Sequence, residues 1–117
     1  MQNNNLYVKS FAFAKQIVEV YNNLIANKKE YTLSRQLLRS GTSIGANVAE
    51  ANGAISKADF SSKISIAYKE CLETKYWILL LKETSYLSLE IFDKVYMDAD
   101  ELARILFSIL KSSRIEN

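Results

Sequence analysis

The chain has no histidine and no proline, one cysteine, and only three glycines, which fall within thirteen consecutive positions of its 117 residues. Each shortage excludes something. Without imidazole there is no Ser-His-Asp or Cys-His catalysis, and none of the Glu-x-x-His pairs of di-iron bundles. A zinc site lacks ligands as well, with Cys71 alone and no histidine. Cys71 has no partner for an intrachain disulfide. Its place on an apolar seam predicts buried packing rather than a reactive thiol. The absence of proline, which costs about 3 kcal/mol inside a helix, favours long uninterrupted helices. The run Gly41-Thr-Ser-Ile-Gly45 is no P-loop, since no Gly-Lys-Ser/Thr follows and the register is mid-helix.

No long apolar run occurs. Nothing approaches the roughly 20 apolar residues of a membrane span. Met1 to Asn5 is polar, and the apolar residues that follow are interrupted by Lys9 and Lys15, unlike a signal peptide. A cytoplasmic protein without membrane contact is expected. The net charge is only +2, with 49% hydrophobic and 24% charged residues, as in an ordinary globular chain. The charge is unevenly spread: the first 29 residues hold Lys9, Lys15, Lys28 and Lys29 against Glu19, whereas residues 84–117 hold six acids and four bases.

What is present is helical periodicity. Apolar residues recur at alternating spacings of four and three, which fall on one face of a helix. A first helix is expected over about 6–27, with two stripes: Tyr7, Phe11, Ala14, Val18, Tyr21, Ile25 and Phe13, Ile17, Val20, Leu24. A second is expected over 33–52, with Gly53 placed for a left-handed residue past its end. A third, over 57–84, opens on Ser56 and Asp59, a near capping box. Its seam is Phe60, Ile64, Ala67, Cys71, Thr74, Ile78, Leu81. A fourth, over 89–113, is capped by Ser88 and carries Val95, Ala99, Leu102, Leu106 and Ile109. Short loops imply antiparallel neighbours. The expected fold is therefore all-α: a single domain over 1–117, folded as an antiparallel up-down-up-down four-helix bundle.

The second helix is unusual. Its apolar seam Leu37, Gly41, Ile44, Val48, Ala51 runs directly beside a polar row, Gln36, Ser40, Ser43, Asn47, Glu50. An amphipathic surface helix sets polar residues opposite apolar ones. A polar row touching the seam is either a solvated face or one partner of a polar network. The third helix offers a partner row, Asp59, Lys63, Ile66, Glu70, Glu73, Trp77, one position before its own seam. Gly41 and Gly45, four apart, each cost about 1 kcal/mol relative to alanine in a helix. They allow close approach of another backbone, from the same chain or from a second subunit. Glu50, Glu70 and Glu73 serve as charge partners or, less simply, as carboxylate ligands. Arg35, Arg39, Lys57, Lys75 and Lys82 are solvated surface or candidate phosphate contacts.

The stretch RQLLRSGTSIGANVAEA at 35–51, followed by SKADF at 56–60 and AYKECLETKYWILLL at 67–81, resembles a bacterial four-helix-bundle family. Its first members were reading frames in intervening sequences of 23S ribosomal RNA genes. The resemblance covers nearly the whole chain. It implies a homo-oligomeric ring of bundles, a pentamer, with no enzymatic activity and no cofactor. A related branch, the accessory variability determinant of diversity-generating retroelements, is a basic pentamer that binds nucleic acid and a reverse transcriptase. This chain departs from that branch in charge, since five copies at +2 carry only about +10. Residues matching the family pattern are Gln36, Arg39, Ser40, Ser43, Asn47 and Glu50, then Asp59, Phe60, Lys69, Glu70, Glu73 and Trp77. They are expected to form a polar network and subunit contacts. The expected function is a non-enzymatic oligomeric scaffold that partners with itself and whose further partner, a protein or a nucleic acid, is left open. The alternative is a nucleic-acid-binding accessory factor.

Overall fold

The computed structural model describes residues 4–116, with side chains from Asn5 to Ser113. The polar start Met1–Asn3 and the terminal Asn117 lie outside the described residues. Four helices follow one another: α1 (Asn4–Asn27), α2 (Leu33–Asn52), α3 (Lys57–Glu83) and α4 (Leu89–Glu116). Cross-helix contacts run in opposite chain directions at every neighbouring pair. Glu50 meets Lys63 while Arg39 meets Glu70, Ser61 meets Ser113 while Lys75 meets Asp100, and Lys9 meets Glu101 while Gln16 meets Asp98. The molecule is an antiparallel four-helix bundle of 46 × 21 × 20 Å. Neighbours in sequence pack side by side, α1 also lies against α4, and the backbones of the diagonal pairs stay farther apart, across the core.

The helix ends follow from local chemistry. Ser56 is extended and its hydroxyl accepts from the Asp59 amide at 3.0 Å. The Asp59 carboxylate accepts in turn from the Ile55 amide at 3.2 Å. Ser88 caps α4 through the Ile91 amide. At α2 the cap is a carboxylate: Glu30 accepts from the amides of Thr32 and Ser34 at 3.2 and 2.7 Å. A negative charge there also suits the positive end of the helix dipole. Gly53 departs from expectation. Its φ is −101°, and its amide bonds to the Glu50 carbonyl at 3.1 Å. The last turn of α2 tightens and runs straight into the Ser56 cap, so no left-handed residue is needed. Left-handed residues instead end α1 and α3, at Lys29 (φ 55°) and Ser85 (φ 70°). At Ser85 the Tyr86 amide reaches back to the Leu81 carbonyl at 2.8 Å, which closes the end of α3.

The core holds one stripe from each helix. Phe13, Ile17 and Leu24 of α1 meet Leu37, Ile44 and Val48 of α2, Ile64, Ala67 and Ile78 of α3, and Val95, Ala99 and Leu106 of α4. The glycines of α2 seat α1. A Cβ on Gly41 would stand 2.9 Å from both γ carbons of Ile17, and one on Gly45 would stand 3.3 Å from the Ser10 carbonyl oxygen. Close approach within the chain thus accounts for both. The other stripe of α1 stays outside, with Tyr7, Phe11 and Val18 exposed.

Candidate functional site

The polar rows of α2 and α3 meet along one seam of the bundle. At its buried centre, Ser40 on α2 faces Thr74 on α3, both fully inaccessible. Their hydroxyl oxygens are 3.0 Å apart. The Ser40 hydroxyl also lies 3.0 Å from the Gln36 carbonyl, and that of Thr74 lies 2.7 Å from the Glu70 carbonyl. Both hydroxyls are satisfied, which matters because an unsatisfied buried polar group costs about 1 to 3 kcal/mol.

One step outward, the Arg39 guanidinium bridges two carboxylates of α3. It donates to Glu70 at 3.2 Å and, through its other terminal nitrogen, to Glu73. Glu73 also accepts from the indole N–H of Trp77 at 2.9 Å. That bond, followed by the guanidinium, holds the Glu73 carboxyl below its ordinary range. The bond to Glu73, with both acids' charges, pushes Arg39 up in turn. Arg39 is still half exposed, so this is an interfacial clamp between helices rather than a buried charge. At the other end of the seam Lys63 donates to Glu50 at 2.9 Å, which raises the lysine.

The structure therefore gathers Arg39, Ser40, Glu70, Glu73 and Trp77 at one place, with Glu50 paired separately. It does not gather the others. Among the described residues the Asn47 side-chain amide bonds only to Ser43 on its own helix, at 2.9 Å to the carbonyl and 3.1 Å to the hydroxyl. The Gln36 and Lys69 side chains are exposed, and Asp59 serves the α3 cap. Thr74 belongs to the seam although its spacing places it on the apolar stripe. A hydroxyl residue in an otherwise apolar row, level with Ser40, is the signal that identifies it.

The candidate phosphate contacts do not converge. Arg39 is held by its two acids. Lys75 donates to Asp100 at 2.8 Å and lies over the Tyr96 ring. Its bond raises the lysine and lowers the aspartate. Lys82 pairs with Glu83 and lies over Phe92. Arg35 and Lys57 are exposed near opposite ends of the bundle. Glu70 and Glu73 share one cation, and among the described residues no group of three or more metal-binding side chains exists. Cys71 is buried beside the Ala99 carbonyl, and burial pushes its thiol up to about 12. A groove of 160 Å³ between α1 and α4 is lined by Lys9, Gln16, Asp98 and Glu101, which bond across it to one another. Ligand sites usually measure about 300 to 1,000 Å³. No described helix is long and apolar enough to cross a membrane.

Residues 2–108 match the family described as 23S rRNA-intervening sequence protein. The chain belongs to that family. A solved relative from Bacteroides thetaiotaomicron VPI-5482, described as a protein with unknown function from the S23 ribosomal protein family, is 46% identical. The match covers 91% of this chain and 98% of that one, with a TM-score of 0.89. No curated protein matches. The intervening-sequence family match takes in α1 to α3 and α4 as far as residue 108, and the α2–α3 polar seam lies wholly inside it.

Proposed function

We propose that this intervening-sequence family member is a non-enzymatic scaffold that assembles with copies of itself into a closed ring, a pentamer, and works through the surface the ring presents. The observation that carries this reading is the outer stripe of α1. Tyr7, Phe11 and Val18 repeat with the same spacing as the buried stripe beside them, yet they stay 39%, 53% and 39% exposed on the flank of α1. A helix with two apolar seams buries one in its own chain and offers the other to a partner. The non-enzymatic part rests on the missing imidazole, the inert thiol and the internally paired carboxylates.

In this reading the α2–α3 seam sets helix register rather than subunit contact. Arg39, Ser40, Glu70, Glu73 and Thr74 already satisfy one another within one chain. A nucleic-acid role gains little support, because three of the five candidate phosphate contacts are engaged by acids of the same chain.

Light scattering tests the assembly. A mass of about five times the 13.3 kDa chain is expected, and a single-chain mass at micromolar concentration would overturn the reading. Glu70→Leu should lower stability and leave the assembled mass unchanged. A changed mass would return the cluster to the subunit contact. No gel shift with structured RNA is expected at low salt; a salt-dependent shift would reinstate the accessory-factor reading.

A further inference from the structure

We infer that Asn52 and Gly53, at the corner between α2 and α3, form a self-modifying site, where the asparagine converts to aspartate and isoaspartate with water as the co-reactant. The inference is independent of assembly, since a single chain carries the whole site.

Such a conversion needs an uncrowded backbone nitrogen, an untethered side-chain amide and a backbone able to bring the two together. Gly53 is exposed. A Cβ added to it would meet the Glu50 carbonyl oxygen at 3.7 Å and nothing nearer, so this flank of the corner is open. The Asn52 side chain is half-buried and makes no hydrogen bond among the described residues. Asn52 is the last residue of α2. Two bonds close the turn beyond it, Gly53 amide to Glu50 carbonyl and Ala54 amide to Ala51 carbonyl, each 3.1 Å. Both span three residues instead of the four of an α-helix, a poorer geometry. Helix ends fray, and local opening costs less than global unfolding. Glycine also reaches backbone angles closed to other residues.

While the turn is closed, the Gly53 nitrogen is directed at Glu50. When it opens, that nitrogen attacks Cγ of Asn52. The new C–N bond closes a cyclic imide, the bond from Cγ to the side-chain nitrogen breaks, and ammonia leaves with the proton of the Gly53 amide. Water then opens the ring at either carbonyl. One opening gives aspartate; the other gives isoaspartate, whose main chain is one carbon longer. Aspartate places a negative charge near Glu50 at the C-terminal end of α2, where the helix dipole is already negative. Isoaspartate lengthens the corner that the two bonds close. Either product loosens the approach to the Ser56 cap.

Asn27 is the internal comparator. It also ends a helix, and it is exposed and untethered among the described residues. Lys28 follows it, however, and the Lys28 amide is held by the Leu24 carbonyl at 3.2 Å. Asn47 is protected twice, by its bonds to Ser43 and by the β-branched Val48 after it.

The test holds the full chain folded in mildly alkaline buffer and samples it over weeks. Digestion and mass spectrometry locate each amide-to-acid conversion, and labelling by an isoaspartate methyltransferase identifies isoaspartate. Asn52 should convert well ahead of Asn27 and give both products. Gly53→Ala, which the open flank and a φ of −101° admit without strain, should slow Asn52 to the rate of Asn27. Thr74→Val removes a hydroxyl from the seam, away from this corner, and should lower global stability while leaving the Asn52 rate unchanged. Conversion at Asn52 no faster than at Asn27, or undiminished in Gly53→Ala, would overturn the inference. Faster conversion in Thr74→Val would place the reaction in the globally unfolded chain and overturn it too.

Discussion

Replacing Gly41 by alanine tests how closely α1 lies on α2. Alanine raises helix propensity by about 1 kcal/mol over glycine. Against this, the new methyl would stand 2.9 Å from two γ carbons of Ile17 and 3.3 Å from its Cβ. Carbon atoms pack at about 3.5 to 4.0 Å. Ile17 is fully buried, and its branch at Cβ leaves it few rotamers. The clash falls on the root of a stiff side chain, so α1 must shift. Such overpacking costs about 1 to 3 kcal/mol. The expected net loss is about 1 kcal/mol, or about 4 °C in Tm for a chain of this size. Gly45→Ala is the comparator. Its methyl meets the Ser10 carbonyl oxygen at 3.3 Å, a contact relieved by a small movement, and the propensity gain offsets it to within about 0.5 kcal/mol. The pair Gly41→Ala with Ile17→Ala completes the argument. Ile17→Ala alone removes both clashing carbons and costs about 2 to 5 kcal/mol, and the double variant should fall short of the summed losses by about 1 kcal/mol or more. Urea unfolding followed by circular dichroism measures all four. Protein concentration must be held constant, because assembly makes stability depend on it. A Gly41→Ala variant more stable than wild type, or strict additivity with Ile17→Ala, would refute the close contact.

Three further outcomes are expected. Thr74→Val keeps the shape of the side chain and removes one hydroxyl, while Ser40 retains the Gln36 carbonyl; the loss in urea unfolding should be about 1 kcal/mol, and a loss of several would show that the seam is coupled beyond this pair. Cys71 should resist alkylation at pH 7 to 8 in the native protein and react promptly in urea, since its thiol is buried and pushed up to about 12; prompt labelling of the folded chain would contradict its packing. Glu73 and Asp100 both have lowered folded values, so their contribution to stability is present above the unfolded carboxylate pKa of about 4 and is lost as pH falls through the folded values. The urea midpoint should hold between pH 7 and 5 and decline below about pH 4, less steeply in Glu73→Gln; an equal decline would exclude Glu73 as a source.

The periodicity displays the bundle because each helix repeats its apolar residues at four and three over its whole length. Ser56 and Ser88 are readable as caps because a hydroxyl placed before a helix has few other uses. The Gly53 ending was not readable, since the conformation of a helix end depends on where the chain must go next. Nor was the role of Glu30, which caps α2 from the linker rather than from the capping position itself. At the seam, the polar row of α2 shows that a partner is needed, and the row on α3 shows where it lies. Which members engage depends on the distance between helices. Arg39 is long enough to reach Glu70 and Glu73, and Ser40 is placed to meet Thr74. Asn47 turns back to Ser43 on its own helix instead.

The sequence by itself determined the helices, their antiparallel order and the chemistry that is missing, because those depend on residue type and spacing along one strand of chain. It also showed two apolar stripes on α1. Only the tertiary structure decided which stripe was buried. Gly41 and Gly45 admit Ile17 and Ser10, and that close approach turns Phe13 inward and leaves Tyr7, Phe11 and Val18 outside. Both stripes have the same period, so the choice between them is made by packing between helices.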